Sequence, residues 1–189
     1  MYPAKLHLVV RGFILYLLFM KVQDVTSVKF VLGIIYPPVF DISGYKGYLE
    51  SVFGTADLQS REFDFDVTDY YEAEMGKDLL RTFVSFERLR GPSQLAEIKR
   101  LTNVLEKHAG GEKGRVVNLD PGYLDMDKCI LASAKYAPQK VYLDKGSTPI
   151  PRSIIIGDPF MPTTGVSPIS VQGPIMTFLC RCANAIKGS

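Results

Sequence analysis

Gly114-Arg-Val-Val-Asn-Leu-Asp-Pro-Gly-Tyr-Leu124 is the stretch on which the reading of this chain turns. Val116 and Val117 are β-branched and predict a short buried strand. Asn118, Asp120, Pro121 and Gly122 then predict a polar turn ending on Tyr123, because Pro121 presets one backbone angle and Gly122 permits a positive one. Such a turn would hold Asn118 and Asp120 rigidly at a strand end. Polar groups fixed on a loop by a scaffold are where ligand sites tend to lie.

Working outward, Gly91-Pro92-Ser93 opens a helix with Pro92 at its first position. Leu95, Ile98, Leu101 and Leu105 predict its buried stripe, with Glu97, Lys99, Arg100 and Glu106 in solvent. Gly110-Gly111 ends it, and His108 suits the negative end of the helix dipole, a structural role. Before it, Leu79 to Leu89 predicts a strand. Arg61 to Thr68 alternates, with Phe63, Phe65 and Val67 on one side and Glu62, Asp64 and Asp66 on the other. Asp69 to Gly76 is a polar, aromatic turn between the two, which makes them antiparallel neighbours. Val28 to Tyr36 is a nearly continuous apolar run that predicts a central strand covered on both faces and ended by Pro37-Pro38. Tyr45, Tyr48, Leu49, Val52 and Phe53 recur at helical spacing, and Gly54 sits at the cap. Downstream, Asp127 to Ala134 is a short helix or strand that periodicity does not decide, and Lys140 to Leu143 predicts another strand.

The 189 residues suit one domain, and 47% hydrophobic with 22% charged residues is a globular composition. Acidic residues slightly outnumber basic ones between Met20 and Gly146, so the formal +2 comes from the ends and makes no case for nucleic-acid binding. Cys129, Cys180 and Cys182 form neither a disulfide framework nor a zinc pattern. Phe13 to Phe19 is too short to span a bilayer and lacks a cleavage pattern after it. Residues 1–19 are therefore expected to be an upstream extension, with Met20 as the start and a cytoplasmic location.

Val28–Tyr36, Phe53-Gly54, Phe63-Asp-Phe-Asp-Val-Thr-Asp-Tyr-Tyr-Glu72, Glu74-Met-Gly76, Phe83-Val-Ser-Phe-Glu87, Ile98-Lys99, Thr102-Asn103, Asn118-Leu-Asp-Pro-Gly-Tyr123 and Leu131-Ala-Ser133 together resemble a bacterial and archaeal family of domains of unknown function marked by the Asn-Leu-Asp-Pro-Gly-Tyr motif. The resemblance covers residues 28–146. Some members carry a GTP-binding label, but the family implies no activity. It also implies a late strand and an aromatic-rich final helix that do not follow here. Read one base out of frame, Ser147 to Ser153 yields Ile-Tyr-Ala-Asp-Pro-Thr-Leu with permitted codons, and Gly165 to Gln172 yields Trp-Ser-Phe-Pro-Asp-Phe-Arg-Ser, both in the family's manner. The expectation is a family domain over 20–146 followed by a frameshifted, poorly ordered tail over 147–189, which holds half of the 12 prolines. An edge strand and an apolar face would then be uncovered and the product marginally stable.

Two constellations could carry chemistry. Asp64, Asp66, Asp69, Glu72 and Glu74 with Asp120 are carboxylates that could hold Mg²⁺ or act as acid and base. Asp66, Asp69 and Asp120 are the catalytic and metal candidates, against the plain reading of a strand's solvent face. Asn118, Asp120, Tyr123 and Lys135, with Arg81 and Glu87 nearby on the sheet, could bind a polar or phosphate-bearing ligand, against the reading that Asn118 and Asp120 only satisfy turn backbone. There is no G-x-x-x-x-G-K-[ST] loop, no G-x-G-x-x-G, no G-x-S-x-G and no H-E-x-x-H, and His7 and His108 are the only histidines.

The fold class is therefore α+β: a single mixed, mainly antiparallel sheet of five or six strands with two or three helices, in a strand–helix–strand–strand–helix–strand order compatible with a ferredoxin-like arrangement. The leading function is binding of a small polar or phosphate-bearing molecule at Asn118–Tyr123. The alternatives are a carboxylate-dependent, metal-assisted enzyme, a GTP-binding protein, and a protein-interaction domain using Tyr70 and Tyr71.

Overall fold

The computed structural model describes residues 6–10, 13–17, 24–66, 68–125, 128–133, 153–157 and 174–187. The chain is an α+β protein built on one antiparallel sheet. Its axis is β3 (Lys29–Tyr36), every residue of which is buried, as a continuous apolar run demands. β6 (Leu80–Phe86) pairs with one edge of β3 and β7 (Asn118–Leu124) with the other, both antiparallel. β4 (Ala56–Gln59) and β5 (Phe63–Asp64) both lie on β6, while β8 (Cys129–Ser133) and β9 (Ser153–Gly157) extend the sheet beyond β7, giving the order β4-β6-β3-β7-β8-β9. No parallel pair occurs among the described residues. A separate two-stranded pair, β1 (Leu6–Val10) with β2 (Phe13–Leu17), lies in the N-terminal stretch. No helix among the described residues is long and apolar enough to cross a membrane.

Alternation along β3 divides the core in two. Phe30, Leu32, Ile34 and Tyr36 face a cluster completed by Leu49 and Phe53 of α1 (Ile42–Phe53) and by Leu95, Ile98 and Leu105 of α3 (Leu95–Gly110). Asp41 caps α1 through its side chain, and Gly54 ends it at φ 93°. Val31 and Ile35 face the other way. Val31 meets Phe83, Leu124 and the Phe178, Leu179 and Cys182 side of α4 (Pro174–Lys187). Ile35 meets Met75 of α2 (Glu72–Met75) and Leu79.

Several expectations change. The Asn118–Tyr123 stretch is no turn at a strand end; it is β7 itself, in unbroken register from Lys29↔Leu124 to Ile35↔Asn118. Pro121 is tolerated there for a reason that follows from the ladder. Leu119 gives its N–H and C=O to side chains of α3, so by alternation the missing N–H of Pro121 also points away from β3, where β8 pairs only from Gly122 onward. Gly122 needs no positive φ. Its hydrogen admits β8, since a Cβ there would stand 2.6 Å from the Ile130 carbonyl oxygen. On α3, Leu101 is exposed whereas Lys99 and Glu106 are buried. The alternating run at 61–68 pairs over only two residues. The stretch at 127–134 holds a strand, and Lys140–Leu143 lies outside the described residues. Within residues 147–189 the described elements are β9 and α4, and Phe178, Leu179, Cys182 and Ile186 form the apolar side of that helix.

Candidate functional site

Two rows of side chains cross the sheet on the face shared by α2 and α4. In the first, Arg81 of β6, Ile35 of β3 and Asn118 of β7 stand side by side; in the second, Phe83, Gly33 and Asp120. Gly33 has no side chain in the second row, and the Phe83 ring fills its place, 3.0 Å from where a Cβ would stand, with Arg81 Nη2 behind it at 3.6 Å. The guanidinium carbon lies 4.6 Å from the centre of the Phe83 ring and 5.6 Å from that of Phe65. Arg81 is only 4% exposed, and its Nε has no hydrogen-bond partner among the described residues. Burial lowers the guanidinium pKa, against which the charges of Asp120 and Tyr71 act.

The second half of the site is an ion network where β8 leaves the edge of β7 bare. Unpaired backbone groups at a buried edge need partners, and α3 provides both. Lys99 Nζ donates to the Leu119 carbonyl at 2.7 Å, and the Leu119 N–H donates to Glu106 Oε1 at 2.8 Å. Lys99 lies 3.7 Å from Glu106 and 3.8 Å from Asp120 Oδ1. Arg115 reaches Glu106 at 3.7 Å and Glu74 at 3.4 Å, and donates to Asn118 Oδ1 at 3.3 Å. Asn118 Nδ2 donates to Asp120 Oδ2 at 2.9 Å, closing the network beside Arg81. Burial raises the pKa of Glu106, opposed by Lys99, the Leu119 N–H and Arg115. Burial likewise pushes the Tyr71 phenol up, with Asp120 adding to it.

The residues singled out from the sequence divide cleanly. Asn118, Asp120 and Arg81 come together. Tyr123 does not join them: it alternates onto the α1/α3 face, 8% exposed, with its ring 6.0 Å from Phe30. Glu87 lies beyond the end of β6 opposite Arg81 and is exposed. Lys135 is outside the described residues. Asp64, Asp66 and Asp69 are exposed on β5 and the connection to α2. Among the described residues no three His, Cys, Asp or Glu side chains are placed to hold a metal. Tyr70 is exposed and meets Tyr71 edge-on at 5.0 Å.

Lys99, Glu106 and Arg115 are the partners that sequence reasoning missed. A signal for two of them exists. Lys99, Thr102 and Glu106 repeat at helical spacing directly beside the Leu95, Ile98 and Leu105 stripe, so they share the edge of the buried face.

All of these residues lie inside the span 26–147, which matches a family model described as a domain of unknown function, DUF4416. The chain belongs to that family. The DUF4416 match takes in β3 through β8, the whole of the Arg81 site and the Lys99–Glu106 edge. No curated protein and no solved structure matches the chain.

Proposed function

We propose that this chain binds a small polar ligand on the α2/α4 face of its sheet, with an anionic group of the ligand received by Arg81 and further hydrogen bonds at Asn118 and Asp120. The observation that carries the proposal is Arg81, 4% exposed, joined by no ion pair to another described residue and with its Nε buried and unpaired. An unpaired buried charge costs several kcal/mol, and two aromatic faces offset only about 2 kcal/mol of that. A guanidinium offers five donors in a planar fork that fits carboxylate or phosphate oxygens in pairs. Asp120, 29% exposed, and Arg115, 33% exposed, supply the open side through which a ligand would enter. Relative to the expectation from the sequence, the reading keeps Asn118, Asp120 and Arg81 and leaves out Tyr123 and Glu87. A phosphate-bearing ligand, a nucleotide included, would be held here by side chains, since no phosphate-cradling glycine loop is present.

The test is a thermal-shift series on the wild type, Arg81→Lys and Arg81→Met with inorganic phosphate, GTP and a set of small carboxylates and amino acids. At least one probe is expected to raise the wild-type Tm. Arg81→Met should abolish that shift and Arg81→Lys weaken it, because an ammonium lacks the fork. A wild type indifferent to every probe, or a shift that survives in Arg81→Met, refutes the proposal.

A further inference from the structure

We infer that this chain has a second ligand site, apart from Arg81, that takes a small phosphate monoester with a polyhydroxyl body, such as a sugar phosphate. The site is the cleft of about 430 Å³ between the end of β4 and α4, lined by Gln59, Ser60, Arg61, Thr177, Phe178 and Arg181. None of these residues belongs to the site described above.

The fold holds this cleft in shape from both sides. On one side, the Ser60 N–H donates to the Phe83 carbonyl at 2.9 Å and the Phe83 N–H donates to Ser60 Oγ at 2.9 Å, so the chain leaving β4 is tied to β6. On the other, the ring of Phe178 stacks on that of Phe83 with centroids 5.9 Å apart. Both walls are thereby anchored to one residue of β6, which spares a ligand the cost of ordering them. Thr177 and Arg181 stand four residues apart on α4 and so share one face of that helix.

The chemistry of the lining selects the ligand. Two of its residues are arginines and none is a carboxylate. No ion pair joins either arginine to another described residue. α4 carries no acidic residue, and the carboxylates close by in sequence are committed elsewhere: Asp57 to Lys29 and Ser85, and Glu62 to the Tyr36 hydroxyl at 2.6 Å. A further cation, Lys46 of α1, stands beside the cleft and donates to Gln59 Oε1 at 3.0 Å. One exposed arginine holds an anion weakly, because water and salt screen it. Two guanidinium forks on one concave surface suit the several oxygens and double charge of a phosphate monoester better than a single carboxylate. The volume sets the rest of the ligand. Small-molecule sites run from about 300 to 1,000 Å³, and a bare phosphate ion would leave most of this cleft to water. What remains of the lining is the Gln59 amide and the hydroxyls of Ser60 and Thr177, which suit a body of hydroxyls, with Phe178 as an apolar wall for its carbon face.

The deciding experiment is isothermal titration with glucose 6-phosphate, ribose 5-phosphate, the two parent sugars and inorganic phosphate. At least one of the esters is expected to bind the wild-type chain, with its parent sugar and inorganic phosphate each at least about tenfold weaker. Arg61→Gln and Arg181→Gln change exposed side chains on which folding does not depend. Each should weaken the ester by about tenfold or more, and Arg81→Met should leave it within about twofold. A parent sugar or inorganic phosphate that binds as tightly as the ester overturns the inference. So does a wild type that binds neither ester, or binding that survives in Arg61→Gln/Arg181→Gln. Binding that is lost in Arg81→Met and kept in Arg61→Gln/Arg181→Gln would place the phosphate at Arg81, so that the cleft falls while the anion-binding reading stands. Neither ester is among the probes of the Arg81 series, so the two readings can fail independently.

Discussion

Two buried cations stand on the same face of the same sheet and are treated in opposite ways. At one end, Lys29 of β3 is 2% exposed; it is bonded to the Asp57 carboxylate of β4 and donates to the Phe86 carbonyl at 3.2 Å. Ser85 completes that end by donating to the other Asp57 oxygen at 2.6 Å. At the other end, Arg81 is 4% exposed; it lies against the rings of Phe65 and Phe83 with Asp120 and Tyr71 nearby, and no ion pair joins it to another described residue. Folding demands that buried charge be paired. Lys29 meets the demand within the chain, joining β3, β4 and β6. Arg81 leaves it unmet, and strain left unrelieved by the fold is where a ligand gains affinity. The contrast separates a structural cation from one held ready.

The largest effect is expected between these ends, at the edge of β7. Lys99→Ala removes the partner of the Leu119 carbonyl and strips Glu106 of one of its two cations, the more deeply buried one. Breaking a buried pair from one side costs about 3–5 kcal/mol, read as a lower urea midpoint. Lys99→Ala/Glu106→Ala should cost clearly less than the two single changes added together, because the second truncation removes the stranded charge. A loss under about 1 kcal/mol for Lys99→Ala, against that range, would mean water already serves the edge, and the network would lose its structural meaning.

Next comes the direct comparison of the two cations. Lys29→Met should destabilise by about 2 kcal/mol, below the range for a fully buried pair because Asp57 is 26% exposed and water can take over part of its solvation. Arg81→Met keeps the apolar stem, packs against the same rings and deletes an unpaired buried charge. It should leave stability unchanged or raise it by about 1 kcal/mol, as residues kept for function rather than stability do. Equal losses in urea unfolding for the two variants would erase the distinction between them and weaken the ligand reading of Arg81.

What could be read from the sequence follows the same division. Elements whose signal is their own periodicity were legible: β3 as an unbroken apolar run, α1 and α3 as helical stripes with glycine ends, β6 as an apolar strand. The family motif was legible as a place but not as a shape. Pro121-Gly122 is a local turn signal, and what overrides it is non-local: a full register with β3, side chains from α3 at Leu119, and a β8 close enough to require hydrogen at position 122. For the same reason Tyr123 is misread as a neighbour of Asn118, since in a turn three residues can converge and in a strand their parity sends them to opposite faces. Lys99 and Glu106 read as solvated because charged residues beside an apolar stripe usually are, and only a bare strand edge makes it worthwhile to bury them. β9 lacks a strong local signal and is defined by its pairing with β8; α4 carries a helical apolar stripe, Phe178, Leu179, Cys182 and Ile186, that sequence reasoning missed and that covers Val31 and Phe83.

The smallest effect is the pH dependence of the paired end, and it sharpens the comparison by a different measurement. Burial by itself would raise the Asp57 pKa, but hydrogen bonds from Lys29 and Ser85, with the Lys29 charge, outweigh it and hold the carboxyl below its ordinary 3.8. A carboxyl held lower in the folded than in the unfolded chain releases its proton more readily when folded. The unfolded chain therefore binds more protons in the interval below 3.8, and stability falls as pH drops through it. The contribution is complete above 3.8 and lost once the folded-state pKa is passed. Asp57→Asn should lower the urea midpoint at neutral pH and flatten its decline between about pH 4 and the acid limit, since the titrating group is gone. Glu106→Gln should not flatten it: burial raises that pKa, so Glu106 favours the folded state as it takes up its proton and works against the acid loss. An acid limb as steep in Asp57→Asn as in the wild type would show that the Lys29 end is not what acid unlocks.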